Sequence, residues 1–171
     1  MAVVSRPRAT AWRVALLCVL LDACGVDERA ASVSVPAAPP AAPVVRAAAF
    51  DAGPIKTAAQ YLAEPDFAAA DAARGELLGL ACAACHRFKA EEGTLIGPPL
   101  QGVFGRPAAS IAGFDYSPAL RASGLVWTPR SLEAWLANPA GFVEGTTMAF
   151  TGYRSADDRR DLIAYLLRAT Q

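Results

Sequence analysis

An all-α domain with long irregular loops is the fold class this sequence predicts, and three observations carry the prediction. Three stretches combine helix caps with helical spacing: Asp71 to Leu80, Thr128 to Asn138 and Ser155 to Ala169. Between the first two lies a segment dense in Gly and Pro, from Arg87 to Thr128, with little periodicity. At the end of the first helix stands Cys82-Ala83-Ala84-Cys85-His86, with no strand-rich run near it.

At 171 residues the chain has room for one domain with tails. Its 16 basic and 16 acidic side chains balance, and no Lys/Arg cluster of the kind that tracks phosphates occurs, so nucleic acid is not an expected partner. The N-terminus has the build of an export signal: Arg6, Arg8 and Arg13, the apolar run Val14 to Leu21, then small residues. That run is much shorter than the about 20 residues that span a bilayer, so cleavage is expected rather than a permanent anchor. Pro7 separates Arg6 from Arg8, which leaves no twin-arginine pair.

Leu21-Asp22-Ala23-Cys24 resembles the lipobox of bacterial lipoproteins, although Asp22 occupies a slot that is normally small and uncharged. Two readings follow. Residues 1–24 are a signal whose cleavage leaves Cys24 as a lipidated N-terminus, or cleavage falls near Ala23 or Ala30 and Cys24 is a stray thiol. Cys18 lies inside the apolar run and leaves with the signal. Residues 25–70 then form a tether. Its Val33 to Ala49 portion is mostly Ala, Pro and Val, which cannot bury a core and favours extended polyproline geometry of about 3.1 Å per residue. The alternative is a leader with no role in reach. Around Asp51 to Asp66 the pattern is ambiguous: Ile55, Tyr61, Leu62 and Phe67 either dock on the domain or stay loose.

The domain is expected over 71–171. Asp71 is a good N-cap, and the alanines and leucines that follow favour helix. Thr128-Pro129 opens a short helix with Leu132, Trp135 and Leu136 on one face, and Asn138-Pro139 ends it. A loop carrying Met148 follows. Ser155, with Asp158 three positions on, caps the last helix, whose apolar stripe is Leu162, Tyr165, Leu166 and Ala169.

A CxxC pair can be half of a zinc site, a dithiol redox pair or, when His follows directly, a c-type haem attachment site. The chain has a single histidine, His86, so a zinc site lacks its further imidazoles, and a dithiol motif lacks its βαβ context. The reading is therefore one haem c, bound covalently through Cys82 and Cys85, with His86 reaching the iron. A haem also accounts for the Gly/Pro-rich loops, which count against a compact domain unless they pack on a porphyrin. The sixth ligand follows by elimination. Histidine is used, and of the two methionines Met1 leaves with the signal, so Met148 is the candidate. The alternative for Met148 is an ordinary core thioether. His/Met ligation closes both axial positions and suits outer-sphere electron transfer.

From about Asp71 to Thr170 the sequence resembles class I cytochrome c of the mitochondrial and bacterial type. Ile96-Gly97-Pro98-Pro99-Leu100 matches the loop whose proline carbonyl, here Pro98, accepts the proximal His86 N–H. Phe104-Gly105-Arg106 matches the segment whose arginine lies near an inner propionate. Gly113-Phe114-Asp115-Tyr116-Ser117 and Trp127 match the tyrosine and tryptophan that hydrogen-bond propionates, and Thr146 falls where a threonine does the same. Asp161-Leu162-Ile163-Ala164-Tyr165-Leu166 matches the terminal helix that crosses the first one. Taken singly, these residues also read as turn formers and core aromatics. The resemblance implies a cytochrome c fold, a small helical domain wrapped around one covalent haem.

The departures from the family pattern carry expectations of their own. Trp135 stands where a tyrosine usually neighbours the Met sulfur, and Leu120 replaces a common polar residue. Gly79 falls near the aromatic packed between the first and last helices, so either Leu77, Leu78 or Leu80 covers the gap or the contact is weaker. Ala81, Ala140, Gly141 and Thr147 occupy positions of the family's lysine ring, which puts steering toward an acidic partner in doubt.

The reading is a periplasmic single-electron carrier, not an enzyme, with redox proteins as donor and acceptor and a monomeric domain tethered through lipid on Cys24. The alternatives are a haem c electron-accepting subunit of a dehydrogenase complex, or a haem enzyme or ligand sensor with a labile sixth ligand.

Overall fold

The last helix organises the packing. A computed structural model describes residues 54–171; the signal, Cys24 and the Val33 to Ala49 stretch of the tether lie outside the described residues. In chain order the helices are α1 (Ala58–Leu62), α2 (Pro65–Ala68), α3 (Ala72–Ala83), α4 (Pro118–Ala122), α5 (Pro129–Ala137), α6 (Pro139–Phe142) and α7 (Ala156–Ala169). Helices α1, α2, α3 and α5 all pack on α7. Among the described residues the extended pairing is limited to an isolated antiparallel bridge between Pro107 and Val126. No described helix is long and apolar enough to cross a membrane.

Because neighbours approach α7 from several sides, its buried surface is wider than the four-residue stripe expected from sequence. Leu162, Ile163, Ala164 and Leu167 are fully buried, and Asp161 is buried with them. Tyr165 and Ala169, two members of the expected stripe, are only partly buried. Ser155 caps α7 by accepting from the Asp158 N–H at 3.2 Å.

Helix α3 crosses α7 through glycine. Gly75 backs onto the Asp161 carbonyl, and Gly79 lies under the Tyr165 ring. A Cβ at Gly75 would sit 2.9 Å from Tyr165 Cβ, closer than real Cβ atoms come. The expectation that Leu77, Leu78 or Leu80 fills the space over Gly79 is corrected here. Tyr165 from α7 fills it, with Phe88 edge-on at 5.8 Å, and Leu77 and Leu80 are exposed. Leu78 is partly buried, and its carbonyl accepts from the Tyr153 hydroxyl at 3.0 Å.

Polar contacts fix the same crossing. Asp71 caps α3 by accepting from the Arg74 N–H at 3.0 Å. Its own N–H donates to the buried Asp161 carboxylate of α7 at 3.1 Å. Arg74 pairs with Asp158 across the helices.

The packed region reaches further toward the N-terminus than the boundary expected at Asp71. Thr57 and Gln60 form a capping box that starts α1. Tyr61 is buried, and Phe67 of α2 is partly buried against the core. Two other short helices were not legible in sequence. Helix α4 is capped by Ser117, and α6 by Asn138, the residue that also ends α5.

Candidate functional site

The end of α3 and the loops that follow enclose a mostly apolar cavity of about 250 Å³. Cys82 is the penultimate residue of α3, while Cys85 and His86 sit in the turn just after it. Both the Cys85 N–H and the His86 N–H donate to the Cys82 carbonyl, at 3.1 Å and 2.8 Å. That tight turn sets all three donors on one wall of the cavity.

The loop from Gly97 to Arg106 is bonded down beside them. The Gly97 N–H donates to the Cys85 carbonyl and the Leu100 N–H to the Arg87 carbonyl, both at 2.8 Å. His86 Nδ1 lies 2.8 Å from the Pro98 carbonyl, which fits an N–H donor at Nδ1 and leaves Nε2 with its lone pair free. Burial holds His86 below the usual imidazole range, with the Pro98 bond opposing, so the neutral ring that can bind a metal is favoured. Gly97 is buried against the imidazole; a Cβ there would lie 2.6 Å from Nδ1. Burial also pushes the Cys82 thiol of the haem-free chain up to about 11.

Arg106 is tied to this loop through the Gln101 carbonyl at 2.7 Å and the Pro99 carbonyl at 3.1 Å. Burial lowers its pKa, yet a guanidinium stays cationic. The next wall is joined to it by reciprocal backbone bonds: Gly105 N–H to the Trp127 carbonyl at 2.7 Å, and Trp127 N–H to the Arg106 carbonyl at 3.0 Å. Trp127 meets Trp135 edge to face at 5.3 Å. Tyr116 is buried just before the cap of α4, its ring 4.6 Å from Phe114, and burial raises its pKa.

The last wall is the loop between α6 and α7. Thr146 Oγ1 accepts from the Met148 N–H at 3.3 Å, and the Met148 carbonyl accepts from the Phe150 N–H at 3.0 Å.

All nine residues singled out in the sequence line this one cavity: Cys82, Cys85, His86, Pro98 and Arg106 from one side of the chain, and Tyr116, Trp127, Thr146 and Met148 from the other. Trp135 and Leu120 line it as well. Sequence reasoning missed Val103 and Phe150, which complete the apolar lining. Neither lies in a motif or periodic run that could have marked it.

The residues fit a haem. Two thiols and an imidazole share the turn at the end of one helix, a thioether shares their cavity, and the rest of the lining is mostly apolar, with the hydroxyls of Tyr116, Ser117, Thr146 and Thr147 and one cation. Gly97 supplies the room in which the imidazole sits. Fold and cavity together define an all-α c-type haem protein.

Known proteins place it more closely. The chain is 42% identical over 106 residues to a cytochrome c of Cochliobolus lunatus, covering 61% of this chain and 98% of that protein. It is 43% identical over 102 residues to cytochrome c of Arabidopsis thaliana, covering 59% of this chain and 91% of the relative. Cytochrome c2 of Rhodomicrobium vannielii is 40% identical over 105 residues, with 61% and 82% covered. Among solved structures, cytochrome cH from Methylobacterium extorquens superposes with a TM-score of 0.52 at 43% identity, covering 56% of this chain and 96% of that one. No family model matches the sequence. The chain belongs to the cytochrome c family. It is a class I c-type cytochrome, an electron-transfer protein and not an enzyme, whose haem c is held through Cys82 and Cys85.

Proposed function

We propose that this chain is a single-electron carrier of the periplasm in which His86 and Met148 would hold the haem iron. One observation carries the reading. The only histidine of the chain and its only methionine beyond Met1 line the same cavity as the two attachment cysteines. Bound haem supplies a one-electron iron couple. Ligation by His86 and Met148 would raise its potential and suit outer-sphere electron transfer.

The remaining work belongs to the chain's own residues. Pro98 fixes the imidazole by accepting from Nδ1. Arg106 keeps a cation in the cavity wall, and Tyr116, Trp127 and Thr146 are the other candidates for holding the haem propionates. Thr146 also steadies Met148 through its backbone N–H. The apolar lining keeps water from the group and so limits reorganisation when its charge changes.

The organisation proposed is a cleaved signal over 1–24, a tether over 25–70 and the haem domain over 71–171, with α1 and α2 joining the domain's packing. Lipid on Cys24 anchors the tether, and redox proteins serve as donor and acceptor.

Optical spectra test the ligation. The ferric protein is expected to show the far-red charge-transfer band of methionine–iron bonding and the ferrous protein to refuse CO; Met148→Ala is expected to lose the band and take up CO. A wild-type protein without the band at neutral pH sinks the His/Met assignment. Intact mass of the exported protein tests the anchor: one haem and a diacylglyceryl group on a chain starting at Cys24 are expected, and a soluble species starting elsewhere refutes it.

A further inference from the structure

Helix α3 has two faces of opposite character. Gly75, Gly79 and Cys82 turn inward, whereas Leu77 and Leu80 stand 68% and 63% exposed. Ala73, Leu77, Leu80, Ala81 and Ala84 fall within one helical stripe about 100° wide, and all five are exposed. No charged side chain interrupts it. Arg74 flanks one margin and is paired with Asp158, while Glu76 flanks the other, so neither sign prevails.

The stripe runs into the haem cavity. Ala81 lines both, and Ile96, 80% exposed, borders the cavity beyond it. Large side chains on a short helix are normally spent on the core; here glycines take the core face and leucines face outward. An uncharged apolar stripe that ends at the cavity mouth is the signature of a contact surface.

We propose that Leu77, Leu80, Ala81 and Ile96 form the docking surface for a redox partner whose own contact surface is apolar and uncharged. The proposal rests on the electron-carrier reading and names the chemistry of its partner. The ground is charge matching. A partner with a strongly acidic or basic contact surface would bury unpaired charge against the stripe, at a cost no residue here offsets. Partner association is then governed by apolar contact, and salt acts on it only through the net charges of the two molecules and not by screening a charge pair in the stripe.

A second copy in the opposite redox state presents this same chemistry and serves as the probe. Electron self-exchange between ferrous and ferric holoprotein, read from NMR line widths, is expected not to fall as salt rises, since salt only screens the like net charge of the two copies. Leu77, Leu80 and Ile96 methyl signals are expected to broaden with concentration. Leu80→Lys sets like charges face to face and is expected to slow exchange about tenfold at low salt, with recovery as salt rises. Ile96→Lys is the second variant, and thermal melting checks that both remain folded.

A wild-type rate that falls as salt rises, the mark of opposite charges meeting across the contact, overturns the proposal. So does exchange in both lysine variants equal to wild type at every salt, the result expected if residues 25–53 or a lipid cover the stripe. Oxidation of the ferrous protein by a small neutral quinone separates the two levels. If it proceeds while the exchange pattern fails, only the docking surface falls; if it fails as well, the carrier reading falls with it.

Discussion

At the α3–α7 crossing protein packs on protein down to the backbone, whereas the haem cavity of about 250 Å³ is walled by loops together with side chains of α3, α5 and α7. Gly75 and Gly79 bring two helices together with no space to spare, and Asp161 and Asp158 reach across to the start of α3. The cavity walls are tied by the reciprocal backbone bonds between Gly105–Arg106 and Trp127 and by an arginine shared between carbonyls. One half of the domain is closed by backbone-to-backbone contact, while in the other the buried side chains Val103, Trp127, Leu132, Trp135 and Leu136 pack on one another and also face the cavity.

The strongest way to break that comparison is to remove the attachment cysteines. Without the haem the apolar lining of the cavity faces water, a loss of burial that a marginally stable domain of this size cannot absorb. The Cys82→Ala/Cys85→Ala double variant is therefore expected to lose its cooperative melting transition, followed by circular dichroism. A native-like transition in that variant would show that the loops hold themselves.

Gly75→Ala attacks the other half. Its Cβ meets the Asp161 backbone, which cannot swing aside, so α3 must lift from α7 at a cost of about 2–3 kcal/mol in denaturant unfolding of the holoprotein. Gly79→Ala meets the Tyr165 ring instead, a side chain that can rotate, and is expected to cost about half as much. Equal costs would mean that the crossing is not set by backbone contact.

Asp161→Ala removes the carboxylate that accepts from the Asp71 N–H and faces Arg160. It is expected to cost about 1–2 kcal/mol while leaving the optical spectrum of the haem unchanged. The smallest effect belongs to Tyr153→Phe. It deletes one bond to the Leu78 carbonyl, and a loss of about 1 kcal/mol is expected in the same assay.

The cavity was more legible in the sequence than the crossing. Its residues are marked by chemistry: a CxxCH motif, a single histidine, and a methionine left by elimination. Caps were legible for the same reason, since Asp71, Thr128 and Ser155 act on backbone N–H groups three residues on. The crossing depends on what is absent. Gly75 and Gly79 matter because they have no side chain, and a sequence does not say which surface a glycine lets approach. The leucines beside them read as core residues, because only the fold reveals that α7 needs the glycine face. Helices α1, α2, α4 and α6 are too short to hold a period, and tertiary packing sustains them.

Helices α1 and α2 lie between the chain's N-terminal side and α3, both resting on α7 through Tyr61 and Phe67. A pull arriving along the backbone from Pro54 meets their packing, and the Lys56–Glu64 pair, before it meets Asp71. Whatever precedes Pro54 therefore joins the helix that carries Cys82 and Cys85 only by way of two short helices that rest on α7.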